Sequence, residues 1–448
     1  MERQSIAVIG SGVAGLSAAW LLSRRHDVSL FERNDYFGGH THTIEVAGEA
    51  GRVPVDTGFI VYNEPNYPHL TGLLRTLGVR TRDTEMSFGV SVGDGRLEYA
   101  GSDLGTLFAQ RSNIVRPGFL RMLGDILRFN REVKALLARD QLGPGSLGNF
   151  LLSRGYGRRF RDHYLLPMAA AIWSCPAVQM LDFPLAGFAR FFHNHGLLDL
   201  RDRPQWKTVV GGSHQYPRRM LEHLGGSTRL SLPATAVTRR EGGVEVRLAD
   251  GQRRTFQQVV LACHADEALR LLAGPTSEEA RLLSRFGYQP NRAVLHSDSA
   301  LMPRSRRVWS SWNYLAGEHA AGRSGRVSVT YWMNRLQGLP GDRDFFVSLN
   351  PLSEPDPALV HAEMTYEHPV FDRGAMEAQG RLPRLQGRDG IWFCGSYWGY
   401  GFHEDALRSA VDVARALGCP APWKLPAPTP EHGARPLVAP LGARWART

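Results

Sequence analysis

Ser5 to Thr43 reads SIAVIGSGVAGLSAAWLLSRRHDVSLFERNDYFGGHTHT. The apolar, β-branched run Ile6 to Ile9 is a strand pattern, and it feeds directly into Gly10-Ser11-Gly12-Val13-Ala14-Gly15. That G-x-G-x-x-G spacing is the turn of a dinucleotide site when a strand precedes it and a helix follows. Gly10 permits the tight reversal, Gly12 lets the backbone approach a pyrophosphate, and Gly15 lets the helix lie close on the strand. The anion then rests on the helix N-terminus, where Ala14 sits in the first turn. A helix from about Val13 to Arg25 and a second strand, Val28 to Phe31, deliver Glu32 twenty-two residues after Gly10. An acidic side chain there accepts hydrogen bonds from a ribose diol.

Past Glu32 the segment reads E-R-x-x-x-x-G-G-H-x-x-T, through Arg33, Gly38, Gly39, His40 and Thr43. This resembles the extended FAD fingerprint of the superfamily of flavin amine oxidases, protoporphyrinogen oxidases and phytoene desaturases. The usual form has arginine after the glycine pair, and His40 stands in that place here. A histidine keeps a hydrogen-bond donor but loses the fixed cation.

At 448 residues the chain exceeds one ordinary core and suits two interleaved domains. It is 43% hydrophobic and 21% charged, the balance of a globular protein. No run of eighteen uncharged apolar residues occurs, and the first strand begins within five residues of Met1, so neither a spanning helix nor a signal peptide is expected and the cytoplasm is the expected compartment. Cys175, Cys263, Cys394 and Cys419 are scattered without a C-x-x-C pair, which speaks against a metal site or a disulfide framework.

The net charge of +10 is unevenly spread: Thr106 to Arg161 holds eleven Lys or Arg against three acids. Such a stretch attracts nucleic acid, acidic substrates or an anionic membrane, but no nucleic-acid motif accompanies it. Within it, Pro117 to Arg139 has helical apolar spacing at Phe119, Leu123, Ile126, Val133 and Leu137, with Arg121, Arg128, Arg131 and Lys134 largely between. A basic amphipathic helix either lies on an anionic membrane or packs on its own domain with a solvated polar face. The apolar run Tyr164 to Trp173 is too short to span a bilayer and suits a buried helix or the wall of a lipid-sized pocket. His193 and His195, two residues apart, diverge on a helix and lack neighbouring ligands, so a structural role or a place at the substrate cavity outranks metal binding.

The resemblance extends to three further places. Asp56-Thr57-Gly58 matches a point where backbone approaches the flavin ring. Gly211-Gly212 and the strands after it resemble the second FAD block, which implies that backbone near Val237 holds the adenine. The strand Gly390 to Gly395 and the helix opening at Glu404-Asp405-Ala406 resemble the C-terminal FAD motif, whose helix N-terminus faces the flavin pyrimidine; Ser396 replaces the usual acid. The implied fold is α/β, a Rossmann-like FAD-binding domain (1–80, 206–265 and 385–418) interleaved with a mixed α/β substrate domain (81–205 and 266–384). A tail, 419–448, holds seven prolines and reads as a loosely docked extension.

The segments Tyr164 to Cys175, Phe191 to Gly196, Tyr331 to Gln337 and Gly399 to Asp405 resemble a narrower bacterial family of amine-oxidase-like NAD/FAD-binding proteins. Members often accompany cyclopropane-fatty-acid-synthase-type methyltransferases, which implies membrane acyl chains as substrate and a methyltransferase as partner. The expected reaction is hydride removal from an allylic or methyl-branched C–H to flavin N5, by a desaturase or double-bond isomerase, with Phe402 and Tyr400 shaping the flavin face and His403 moving a proton. Two alternatives stay open: a flavin amine oxidase, and an FAD-bearing, non-catalytic partner of the methyltransferase. Against the oxidase, no lysine occurs between Asp266 and Trp423, and the aromatic before the final helix, Phe402, lacks a hydroxyl.

Overall fold

In the computed structural model, residues 2–48, 51–173, 179–199, 203–225, 228–317 and 327–426 are described. Cys175 and the tail beyond 426 lie outside them. Five strands form a parallel sheet in the order Thr228–Arg229, Asp27–Phe31, Ser5–Ile9, Gln258–Leu261, Ile391–Phe393. Its core runs, Ile6 to Val8 and Val259 to Leu261, are fully buried, as a sheet covered on both faces demands. Side chains alternate between two cores. Ile6 and Val8 join the helix Val13–Leu22, whereas Ala7 and Ile9 join the opposite layer, where Phe31 meets Phe256 edge-on at 6.2 Å.

Of the stretch Thr228 to Leu232, only Thr228–Arg229 pairs in the sheet. Beyond it Ser231 adopts φ +52°, and the amides of Ser231 and Leu232 donate to the carbonyls of Asn34 and Glu32 at 2.9 Å. Those residues leave the ladder to hold the loop that carries Glu32.

A second sheet has seven strands in the order Val360–Val370, Gly287–His296, Phe346–Leu349, Val327–Trp332, Trp312–Ala316, Phe88–Val92, Leu97–Ala100. It is antiparallel except where Phe88–Val92 runs parallel to Trp312–Ala316, and that pair joins two stretches of chain more than 200 residues apart. Its cover includes a helix in three consecutive parts: Arg158–Phe160, a π turn over Arg161–Leu165, and Leu166–Trp173. Pro167 explains the irregular turn. It has no N–H to give the carbonyl of His163, which instead accepts the Tyr99 hydroxyl at 2.6 Å.

The start of the tail is docked rather than loose. Cys419 is buried, and Trp423 stacks on Trp20 with centroids 6.4 Å apart and planes 16° from parallel. Its indole N–H donates to Nδ1 of His69 at 3.3 Å. A fully buried Trp→Ala exchange costs about 3–5 kcal/mol. Because Trp423 is only half-buried, Trp423→Ala is expected to lower the unfolding free energy by about 1–3 kcal/mol in a urea titration.

Candidate active site

A cavity of about 1160 Å3 runs from the Gly10–Ala14 turn to the concave, aromatic side of the second sheet. Single-ligand pockets span about 300–1,000 Å3, so this one has room for a large cofactor and a substrate. At the turn, Gly10 adopts φ +98°, and a Cβ on it would sit 2.7 Å from the carbonyl oxygen of Ala262. One on Gly15, outside the wall, would run into the Gly10 carbonyl. Gly12 differs, since a Cβ there meets no atom within 4 Å. The missing side chain at Gly12 therefore serves the space in front of the turn rather than the packing behind it. The helix that begins beside it has no side-chain cap, so its first N–H groups, with Ala14, open onto the cavity.

Glu32 is buried in the same wall. One carboxylate oxygen accepts the Ser11 N–H at 2.8 Å and its hydroxyl at 2.6 Å, and the other accepts the Asn34 N–H at 2.9 Å. A carboxylate offers about four acceptor positions, which leaves one for a ribose hydroxyl. Arg33 is ion-paired to Glu267 at the rim. Gly38 and Gly39 sit on the first turn: the Gly38 N–H donates to the Ser11 carbonyl at 3.1 Å, and a Cβ on Gly39 would lie 3.1 Å from Cα of Gly12. The next two segments are zipped together, with the Phe59 N–H bonded to the His40 carbonyl at 2.7 Å, and Gly58 leaves no room there for a side chain.

His40 is enclosed by Tyr366 and His368, at ring distances of 5.0 and 5.2 Å. Burial and then the neighbouring histidines hold its pKa well below the ordinary value, so the ring is neutral. Its Nε2 is buried without a partner among the described residues, as an atom reserved for a ligand would be. Across the cavity, Gly395 and Ser396 end the Ile391–Phe393 strand, and Tyr400, Phe402, His403 and Ala406 complete the wall at the start of the helix His403–Ala416. His403 stacks on Phe59 at 3.8 Å, and its Nε2 is bonded to the Tyr216 hydroxyl and lies 3.3 Å from that of Thr41.

The far end of the cavity is apolar. Phe191 stacks on Phe402 at 4.8 Å and on His195 at 3.9 Å, and Trp173 stands edge-on to Phe402 at 6.3 Å. Met86, Trp206, Trp312 and Tyr331 continue the wall. His195 binds the carbonyl of Phe191 through Nδ1 at 3.0 Å, and burial lowers its pKa to about 4. Among the described residues the only arginines in the wall, Arg33 and Arg270, stand at the nucleotide end, and no lysine lines it.

A family model described as "Flavin containing amine oxidoreductase" matches residues 13–305, well over half the chain. The chain belongs to that family. A Mycobacterium tuberculosis protein provisionally named flavin-containing monoamine oxidase AofH is 28% identical over 263 residues, 55% of this chain and 54% of its own. The match thus spans about half the length of that relative. Among solved structures, a putrescine oxidase superposes with TM-score 0.67 at 19% identity over 93% of this chain and 99% of that one. A fatty acid isomerase from P. acnes does so with TM-score 0.64 at 16% identity over 92% and 98%. The family's flavin is FAD, and this cavity fits it: an uncapped helix start behind Gly12, a buried acid at Glu32 and an unpartnered Nε2 on His40.

Several residues expected in the flavoenzyme site serve it from behind. Glu404 accepts the N–H groups of His69 and Leu70 at 2.8 and 3.0 Å and so holds the start of the helix Pro68–Thr76. Asp405 accepts the N–H groups of Tyr400 and Phe402 at 2.9 and 3.2 Å and pairs with Arg408, fixing the turn that presents those rings. The Val237 carbonyl is taken by the Ala273 N–H at 2.9 Å, and the cavity is lined instead by Pro233, Ala234 and Thr235. Thr43 donates to Asp56 at 2.5 Å, away from the wall.

That carboxylate was not foreseen as a keystone. Asp56 also accepts the Ser213 N–H and hydroxyl at 2.8 and 2.9 Å and the Gln337 amide at 2.8 Å, tying the Gly58 turn to the Gly211-Gly212 turn and to the short helix Met333–Gln337, which follows a strand of the second sheet. Tyr216, Tyr366 and His368 were likewise unforeseen, because no local spacing marks them. Nor was the approach of His264, Glu267 and Glu367, whose ligand-type atoms lie within 4.8 Å of one another. Glu267 there is already bonded to Arg33 and to the His264 N–H.

Gly12→Val is expected to leave the unfolding midpoint of flavin-free protein unchanged while weakening FAD binding by at least about a hundredfold, read by fluorescence titration, since two charge-assisted hydrogen bonds worth about 1.5 kcal/mol or more each are blocked. Acid should also unfold the protein early. Burial lowers His403 to about 3 and His195 and His368 to about 4. Below about pH 6.5 the unfolded chain binds protons that the folded one refuses. Stability contributed by these neutral rings is thus present above that pH and is lost as pH falls toward 4. Thermal midpoints measured from pH 7 to 4.5 should fall, and fall less steeply in His403→Gln.

Proposed function

We propose that this flavoenzyme acts on an apolar carbon chain, withdrawing hydride from a C–H beside a double bond or methyl branch of a fatty acyl group, as a desaturase or a double-bond isomerase. The observation that carries this reading is the substrate end of the cavity. Its wall is built from Trp173, Phe191, Phe402, Trp312, Tyr331 and Met86, with His195 held neutral among them. Such a wall desolvates a hydrocarbon at little cost and offers no ion pair for a charged group.

Bound FAD would supply the two-electron acceptor. The chain's own residues hold it, exclude water and orient the substrate. Phe402 is clamped between Phe191 and Trp173 by the Asp405-bonded turn, so its ring is a fixed edge against which a chain lies. His403 fits a fixed wall better than a proton carrier: its ring is neutral and its Nε2 is already bonded to Tyr216. The P. acnes fatty acid isomerase, of the same fold, is named for chemistry of this kind.

Amine oxidation is the second reading. Aromatic faces attract ammonium groups as well as hydrocarbons, and both AofH and the putrescine oxidase are named for amines. Against it stands the wall without lysine. In anaerobic mixing of the purified yellow protein, unsaturated phospholipid or fatty acid is expected to bleach the flavin absorbance, or, for an isomerase, to emerge with a moved double bond. Bleaching by amines alone would replace this reading with the oxidase. No change with either would favour an FAD-bearing partner of a lipid methyltransferase.

A further inference from the structure

Among the described residues, ten large apolar side chains are left exposed, and six of them lie between 104 and 152: Leu104, Ile114, Val115, Leu120, Leu127 and Leu152, from 45% to 83% exposed. Two of them, Leu120 and Leu127, stand on the helix Pro117–Ala138 and the other four on segments that flank it in the chain; the helix spends its inner face on Phe119, Met122, Ile126, Phe129 and Val133. Leu120 and Leu127 are two turns apart and share the outer stripe with Arg121, Gly124 and Arg131. An outward helix face in water carries polar side chains at such positions. Exposed apolar residues gathered in one region mark a surface that meets something else.

The charges of that region are also unspent. All three of its acids are engaged: Asp125 with Arg128, Glu132 with Arg154, and Asp140 with Arg190. Lys134 is taken by Asp199, and Arg161 by Asp162. Arg111, Arg121, Arg131, Arg158 and Arg159 have no acid within ion-pair reach among the described residues. Three of these arginines line one groove, of about 450 Å3, together with Gly118, Met122 and Leu152. Among the described residues the one carboxylate in the groove, Asp125, spends its second oxygen on the Gly157 N–H at 3.0 Å.

We propose that this face, from Leu104 through the helix Pro117–Ala138 to Arg159, docks on an anionic phospholipid bilayer. The arginine groove takes lipid phosphate and the exposed leucines, isoleucine and valine enter the headgroup boundary. Charge complementarity selects an anionic surface, and the apolar side chains interleaved with the arginines favour a bilayer over a nucleic acid, whose phosphate backbone offers them nothing. No crossing is involved: among the described residues no helix is long and apolar enough to span a membrane. The proposal stands apart from the substrate reading, because docking is measured without turnover.

The test is co-sedimentation of the FAD-loaded protein with phosphatidylglycerol-containing vesicles and with pure phosphatidylcholine vesicles, at low and high salt. Binding is expected to the former only, weakened by salt. The triple variant Arg121→Ala/Arg158→Ala/Arg159→Ala should lose about a hundredfold in vesicle affinity, and Leu120→Ser/Leu127→Ser about tenfold with the salt dependence kept. Both lie outside the FAD cavity, so retained flavin absorbance and unfolding midpoint certify the fold. Should the triple variant fail to fold, the leucine pair and the salt series on the unaltered protein still decide. Equal binding to phosphatidylcholine, no binding, or variants that bind like the parent would overturn the proposal. So would a concentration-dependent dimer that the same substitutions dissolve, or tighter retention by duplex DNA than by vesicles.

Discussion

The cofactor cavity depends on one close approach, between the first glycine turn and the carbonyl of Ala262. No side chain fits at Gly10 because the strand Gln258–Leu261 has returned, some 250 residues later, to lie beside Ser5–Ile9. The turn is therefore not a local object. Its shape is held from behind by a distant strand and from the side by Gly38 and Gly39, which leaves the front open to the cavity. Asp56 extends the same logic toward the second sheet, with donors from Thr43, Ser213 and Gln337 converging on one buried carboxylate. Burial pushes that carboxyl up to about 7. Removing any single donor would leave the others aimed at a group that water cannot reach.

What could be read from the sequence was what the backbone writes in order. The strand, turn, helix, strand and acid of the first 32 residues appear as expected, because each is specified by neighbours in the chain. Side-chain direction at the far motif was not readable in the same way. Successive residues of a helix point about 100° apart, so of Glu404, Asp405 and Ala406 only Ala406 faces the cavity. The two acids turn instead to the amides of His69, Leu70, Tyr400 and Phe402. The segment around Val237 shows a related effect. The segment meets the cavity a few residues earlier, at Pro233 to Thr235, and nothing in the residues fixes where the strand leaves the wall. Tyr366 and His368 come from a strand of the other sheet, and only the folded topology brings them to His40.

His40 shows how one irregular residue changes the electrostatics of a familiar site. An arginine in its place would carry a permanent cation. The histidine, ringed by Tyr366 and His368 and deprived of water, stays neutral and keeps one nitrogen without a partner. With His195, His368 and His403 also neutral, the inner cavity holds hydrogen-bonding capacity with very little charge. That suits an uncharged substrate, and it leaves an ammonium with only ring faces to meet it.

The helix from Arg158 to Trp173 links the basic outer face to the aromatic chamber, since Arg158 and Arg159 line the groove while Ala171, Ile172 and Trp173 line the cavity. Sixteen residues of helix span about 24 Å. On the proposed reading, the lipid phosphate held at the groove and the carbon that reacts beside Phe402 are places about that far apart. Under the two proposals, docking would use one end of this helix and turnover the other. The groove would then set where the protein sits, and the neutral, water-poor chamber would set what it accepts.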